Sequence, residues 1–176
     1  NHTDHNGGRI LAASITLDTI CAAAPTGDSV ITIISEGYRR PIIVDTARLE
    51  EVPTCQGSVS LVAGIVKAAR QAGFRVDGFC AYASTEVIPA AGVSSSASFE
   101  MLVCAVINRL FNGDAIDYVR YAKMGQYAEN HYWEKASGLM DQMACAVGGT
   151  ILLDFSEGVK YEKMDFSFEK LGYDLL

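Results

Sequence analysis

The chain has 176 residues, 49% of them hydrophobic and 20% charged, with a formal net charge of −7. That balance supports one well-buried core and excludes long disordered segments. With no run of Lys or Arg, it also argues against nucleic acid and anionic membrane as partners.

Asn1 to Gly8 reads as a polar loop ending in two glycines. Arg9 to Ala24 is apolar and rich in Ile and Thr, which suits one long strand. Pro25-Thr26-Gly27-Asp28 is a turn, Ser29 to Ser35 the returning strand and Ile42 to Asp45 a third. Val59, Val62, Ala63, Val66 and Ala69 recur at helical spacing within Ser58 to Ala72, and Gly73 stops that helix. Phe79 to Val87 alternates as a strand does. Ala97 to Leu110 is apolar almost all round and predicts a buried helix. Asn112-Gly113-Asp114 interrupts it, and a second helix runs from Ala115 to about Lys135. A short third helix spans Leu139 to Val147, and Gly148-Gly149 turns the chain into a strand over Thr150 to Phe155. Strands first and helices after predict an α+β fold with the sheet covered on one face. Residues 1–155 form the expected domain, and 156–176 a linker or the start of a truncated C-terminal domain.

The five cysteines (Cys21, Cys55, Cys80, Cys104 and Cys145) are odd in number and widely spaced, without Cys-x-x-Cys. Reduced thiols and a cytoplasmic protein are expected. The apolar runs are too short or too interrupted for a membrane span. The chain begins without Met inside a polar segment and stops without a closing signal, as a piece of a longer protein would.

Three segments carry candidate chemistry. Pro89 to Ser98 places Gly92, Val93, Ser94, Ser95 and Ser96 directly before a helix. A helix N-terminus offers unpartnered N–H groups and partial positive charge, and so accepts phosphate. The serine hydroxyls can cap the helix, bind phosphate oxygens or ligate a cation. Asn1-His2-Thr3-Asp4-His5-Asn6 is dense in polar side chains and suits either a polyol ligand or a solvent-exposed turn. Ser137-Gly138-Leu139-Met140-Asp141-Gln142 puts Asp141 in a first helical turn, where the dipole favours a carboxylate. Asp141 can orient or deprotonate a hydroxyl there, or merely balance the dipole. Glu129, twelve positions earlier, gains interest only as partner to a cation near the serines. Together these parts describe a small-molecule phosphotransferase.

His2-Thr3-Asp4-His5-Asn6-Gly7-Gly8 resembles the galactokinase signature His-Thr-Asp-Tyr-Asn-Gly-Gly. The serine loop resembles the second motif of the GHMP kinases, and Gly138-Leu139-Met140-Asp141-Gln142 the Gly-Ile-Met-Asp-Gln of galactokinases. The resemblance implies the N-terminal domain of a two-domain kinase. Its fold would be ribosomal protein S5 domain 2-like, a mixed and antiparallel sheet covered by helices. It implies transfer of the γ-phosphoryl of ATP, with Mg²⁺, to the C1 hydroxyl of galactose. It implies sugar contacts at Asn1, His2, Asp4 and Gly138, and the catalytic aspartate at Asp141. Gly92 to Ser96 would line the triphosphate, and Ser96 and Glu129 would ligate Mg²⁺. A catalytic Arg, a third Gly-rich motif, a sugar-contacting Tyr and the C-terminal domain would lie outside these residues. Asn1 replaces the usual Glu, His5 the usual Tyr, and Ala90 a frequent Gly. A kinase for another aldose or amino sugar, and a non-catalytic sugar sensor, remain alternatives.

Overall fold

The computed structural model describes residues 4–166 and 169–172, apart from the side chains of His5 and Glu169. Among the described residues, seven strands and four α-helices run in the order β1 (Arg9–Ala13), β2 (Thr19–Pro25), β3 (Val30–Ser35), β4 (Ile42–Asp45), α1 (Ser58–Gln71), β5 (Phe79–Thr85), α2 (Ser95–Phe111), α3 (Tyr118–Tyr132), α4 (Met140–Val147), β6 (Thr150–Asp154) and β7 (Lys160–Met164). They build two sheets, one ordered β2-β5-β3-β4 and the other β1-β6-β7. In the larger sheet only the β3–β5 pair is parallel. The α+β class expected from the sequence is therefore the observed one.

The long strand expected over Arg9 to Ala24 is two strands in different sheets. The break lies at Ser14, whose N–H donates to Gly149 O at 3.0 Å and whose Oγ accepts from Gly149 N at 2.7 Å. Ser14 is thus clamped to the turn before β6, and the chain leaves for the second sheet. Gly148 and Gly149 both have positive φ, a conformation that side-chain-bearing residues adopt at a cost. The helix expected from Ala97 begins two residues earlier, at Ser95, and the helix expected from Ala115 begins at Tyr118. Asp117 sets that second start by accepting from Arg120 N at 2.9 Å, an N-cap. Residues 160–164, read from the sequence as linker or new domain, form β7 and pair antiparallel along β6.

Alternation decides which face of the larger sheet is covered. Ile31, Ile33, Val44, Phe79, Ala81 and Ala83 are buried against α1 and α2. Their strand neighbours Ile20, Ile34, Ile43 and Tyr82 are exposed on the other face. Each large apolar side chain sealed in this way contributes roughly 1.5–3 kcal/mol. A second, smaller cluster joins Ile10 of β1, Ile151 and Leu153 of β6, Ala122 of α3, and Met143 and Val147 of α4. Helix α3 touches both clusters and so fixes one sheet relative to the other. Its approach to α1 is close: a Cβ on Gly64 would lie 2.7 Å from Ala128 Cα and 2.8 Å from Ala128 Cβ.

Gly64→Ala is expected to force α1 and α3 apart and cost about 1–3 kcal/mol. Urea denaturation measures it, and an unchanged midpoint would contradict this packing.

Candidate active site

The N-termini of α2 and α4 meet. Ser94, before α2, has left-handed backbone angles (φ 57°, ψ 48°), and its side chain does not cap the helix. Instead Ser94 Oγ donates to Asp141 Oδ2 at 2.6 Å, in the first turn of α4. The first bond of α2 runs from Ser98 N to Ser94 O. The N–H groups of Ser95, Ser96 and Ala97 therefore project from the helix end, as anion binding requires. The capping role open to these serines is not the one they take: Ser96 Oγ donates to Glu129 Oε1 at 3.1 Å, and Ser98 Oγ lies 2.7 Å from Thr19 Oγ1.

Asp4 locks the amino-terminal loop onto α4. Its Oδ2 accepts from Leu139 N at 2.9 Å and Met140 N at 3.2 Å. Gly138 is required beside it, because a Cβ at that position would fall on the Asp4 carboxyl group. The polar amino-terminal loop, the serine loop and the Gly-Leu-Met-Asp-Gln turn are thus joined by hydrogen bonds. A cavity of about 850 Å³ opens between the serine loop, the start of α4 and β1, lined by Gly92, Val93, Ser94, Met140 and Asp141 among others; no described residue of the amino-terminal loop lines it. Asn1 and His2 lie outside the described residues.

Glu129 is no solvated helical carboxylate. It is 2% exposed and accepts from Ser96, from Lys135 Nζ at 3.0 Å and from Gln142 Nε2 at 3.2 Å. Burial pushes its pKa up, but hydrogen bonding from Ser137, Lys135 and Ser96 outweighs that and holds it below the ordinary value. Glu129 is therefore an anion facing the serine loop. The pair offers hard oxygen donors, one hydroxyl and one carboxylate. Among the described residues no three His, Cys, Asp or Glu side chains form a metal cluster. Two protein donors suit Mg²⁺, which takes its remaining ligands from substrate phosphates and water.

Sequence reasoning missed two features. Glu100 of α2 is fully buried, with Oε2 3.2 Å from Gln142 Nε2 and Oε1 without a hydrogen-bond partner among the described residues. Burial first, and the Glu129 charge second, push its pKa up to about 8. Glu100 is the one carboxylate in an apolar helix, and that isolation was the available signal. The second is a cavity of about 550 Å³ on the far side of the serines, bounded by Tyr38, Arg40, Ser95, Ser96, Phe99 and Trp133. Its residues come from six separate segments, so no local motif announces it.

These features agree with what similarity shows. The chain belongs to the GHMP kinases, whose family profile, GHMP kinases N terminal domain, matches residues 60–149. Within that family its relatives are galactokinases, and the galactokinase galactose-binding signature matches residues 1–25. The galactokinase of Exiguobacterium sibiricum is 33% identical over 183 residues, covering 99% of this chain and 45% of that protein. That of Lactococcus lactis subsp. lactis is 34% identical over 181 residues, covering 99% and 44%. The crystal structure of Lactococcus lactis galactokinase complexed with galactose superposes with a TM-score of 0.82 at 34% identity, over 92% of this chain and 42% of that one. Mevalonate kinase from Methanococcus jannaschii, at 18% identity and a TM-score of 0.73, shares the fold. The chain spans less than half the length of the galactokinases it matches.

Two outcomes follow from this geometry. Asp4→Ala is expected to cost about 0.5–2 kcal/mol through loss of the α4 N–H acceptor. Gly138→Ala should destabilise the wild type but cost little in the Asp4→Ala background, and a double-mutant cycle by urea denaturation reads that coupling. Glu100 keeps its proton to about pH 8 when folded, against an ordinary value of 4.5. The folded state binds more protons across that window, so its contribution to stability is lost as pH rises. Glu100→Gln is expected to flatten that decline in denaturation measured on both sides of the window, and an unaltered slope would assign the decline elsewhere.

Proposed function

We propose that the protein carrying this chain transfers the γ-phosphoryl group of ATP to the C1 hydroxyl of galactose, giving galactose 1-phosphate. One observation carries the reading: Asp4, Asp141, Ser94, Ser96 and Glu129 come from distant parts of the sequence and are gathered by separate hydrogen bonds around two helix N-termini. Relatives at 33% and 34% identity that span 99% of the chain are galactokinases, which supports the choice of substrate.

In this reading Asp4 binds neighbouring sugar hydroxyls, its carboxylate oriented by the α4 amides and packed against Gly138. Asn1 and His2 are further sugar contacts, and Asp141 faces the C1 hydroxyl. Asp141 orients that hydroxyl toward the γ-phosphorus and receives its proton as the new O–P bond forms and the bond to the β,γ-bridging oxygen breaks, with ADP as the leaving group. Ser94, hydrogen-bonded to Asp141, fixes the carboxylate. The amides over Gly92 to Ser96 stabilise charge on the triphosphate, helped by the α2 dipole. Ser96 and Glu129 would hold Mg²⁺, which supplies charge neutralisation at the phosphates. The cavity beside Trp133 and Tyr38 is placed to take the nucleotide base, where aromatic stacking contributes about 1–3 kcal/mol. In a protein of the relatives' length, a C-terminal domain would complete the cleft.

Asn1 in place of the usual Glu favours one alternative, a kinase for another aldose or an amino sugar. ATP-dependent phosphorylation of a panel of aldoses by the full-length protein separates the two. Asp141→Asn is expected to keep galactose affinity within a few-fold and lose at least roughly a hundredfold in kcat. Wild-type turnover in that variant would remove Asp141 from the mechanism.

A further inference from the structure

The buried amide of Gln142 has no role in the reaction as described, yet it is 2% exposed and its nitrogen is shared between two carboxylates. Its Nε2 donates to Glu129 Oε2 and to Glu100 Oε2, both at 3.2 Å. The opposite oxygen of Glu129, Oε1, is the one that meets Ser96 and Lys135. Gln142 therefore decides which carboxylate oxygen turns inward and which is presented to the serine loop. It also follows Asp141 directly on α4. Space for this arrangement comes from Gly125 of α3, one helical turn before Glu129. A Cβ there would lie 2.7 Å from Glu100 Oε2 and 3.1 Å from Gln142 Cγ. The amide, the two carboxylates and the missing Cβ fit one another across three helices.

We infer that Gln142 is a positioning residue for the divalent cation: it clamps Glu129 Oε2 so that Oε1 is held beside Ser96, and ties the Glu129 carboxylate to the helix carrying Asp141. The inference rests on the kinase reading of the site and adds to it a residue that touches neither sugar nor nucleotide. Outer-shell partners of a metal-ligating carboxylate typically govern metal affinity by 10–100-fold.

The experiment uses the full-length protein with Mn²⁺ as a spectroscopic stand-in for Mg²⁺, titrated in the presence of a non-hydrolysable ATP analogue, alongside calorimetric binding of galactose without metal. Gln142→Met keeps length and bulk while removing both donors. It is expected to bind Mn²⁺ at least about tenfold more weakly, with galactose affinity unchanged. Gly125→Ala, acting from the opposite side of the cluster, should do the same. Wild-type Mn²⁺ affinity in Gln142→Met, or parallel loss of Mn²⁺ and galactose binding in a cooperatively folded variant, would overturn the inference. Should Gln142→Met fail to fold, Gln142→Asn, with the amide withdrawn on a shorter stem, is read by the same criteria. If the wild type itself binds neither galactose nor the Mn²⁺–nucleotide pair, the kinase reading fails instead.

Discussion

The hydrogen bond from Ser94 to Asp141 joins two helix N-termini that would otherwise repel. Each presents partial positive charge, and bringing two together needs negative charge between them. The Asp141 carboxylate supplies it, at the cost of holding Ser94 in a left-handed conformation that a residue with a side chain rarely adopts. The result is a site preset for anions, with one carboxylate inside it. Strain at a loop residue has a function here: it aims the serine away from its own helix and across the cleft.

A second compromise surrounds Glu129. Two carboxylates, Glu100 and Glu129, are buried close together among apolar helices, a costly arrangement if both are charged. Their environments push their pKa values apart. Glu129 receives donors from Ser96, Lys135 and Gln142 and stays anionic, while the pKa of Glu100, buried beside the Glu129 charge with a donor from Gln142, is pushed up to about 8. One charge then remains, turned toward the serine loop. The core around Phe79, Ile65 and Ile107 would be simpler with two apolar residues here, so the polar cluster answers to the site rather than to the fold.

Much of this was legible in the sequence, for identifiable reasons. Helices with strong periodicity, such as α1, and strands with alternation, such as β5, declare themselves locally. The serine loop and the Met-Asp-Gln turn are also local, because a glycine and a helix start are sequence events. Failures occurred where a distant partner decides. Arg9 to Ala24 has one uniform β propensity, and only Gly149, far along the chain, divides it. The start of α2 at Ser95 depends on Asp141 relieving Ser94 of capping. The role of Glu100 needs Gln142 and the missing Cβ of Gly125, three helices brought together by packing alone.

The most direct measurement is a crystal structure of the full-length protein with galactose and a non-hydrolysable ATP analogue bound together. The account requires the sugar's C1 hydroxyl within hydrogen-bonding distance of Asp141, its ring against Asp4 and Gly138, and the γ-phosphate over the start of α2. Sugar and nucleotide bound apart, or with Asp141 facing neither, would contradict it.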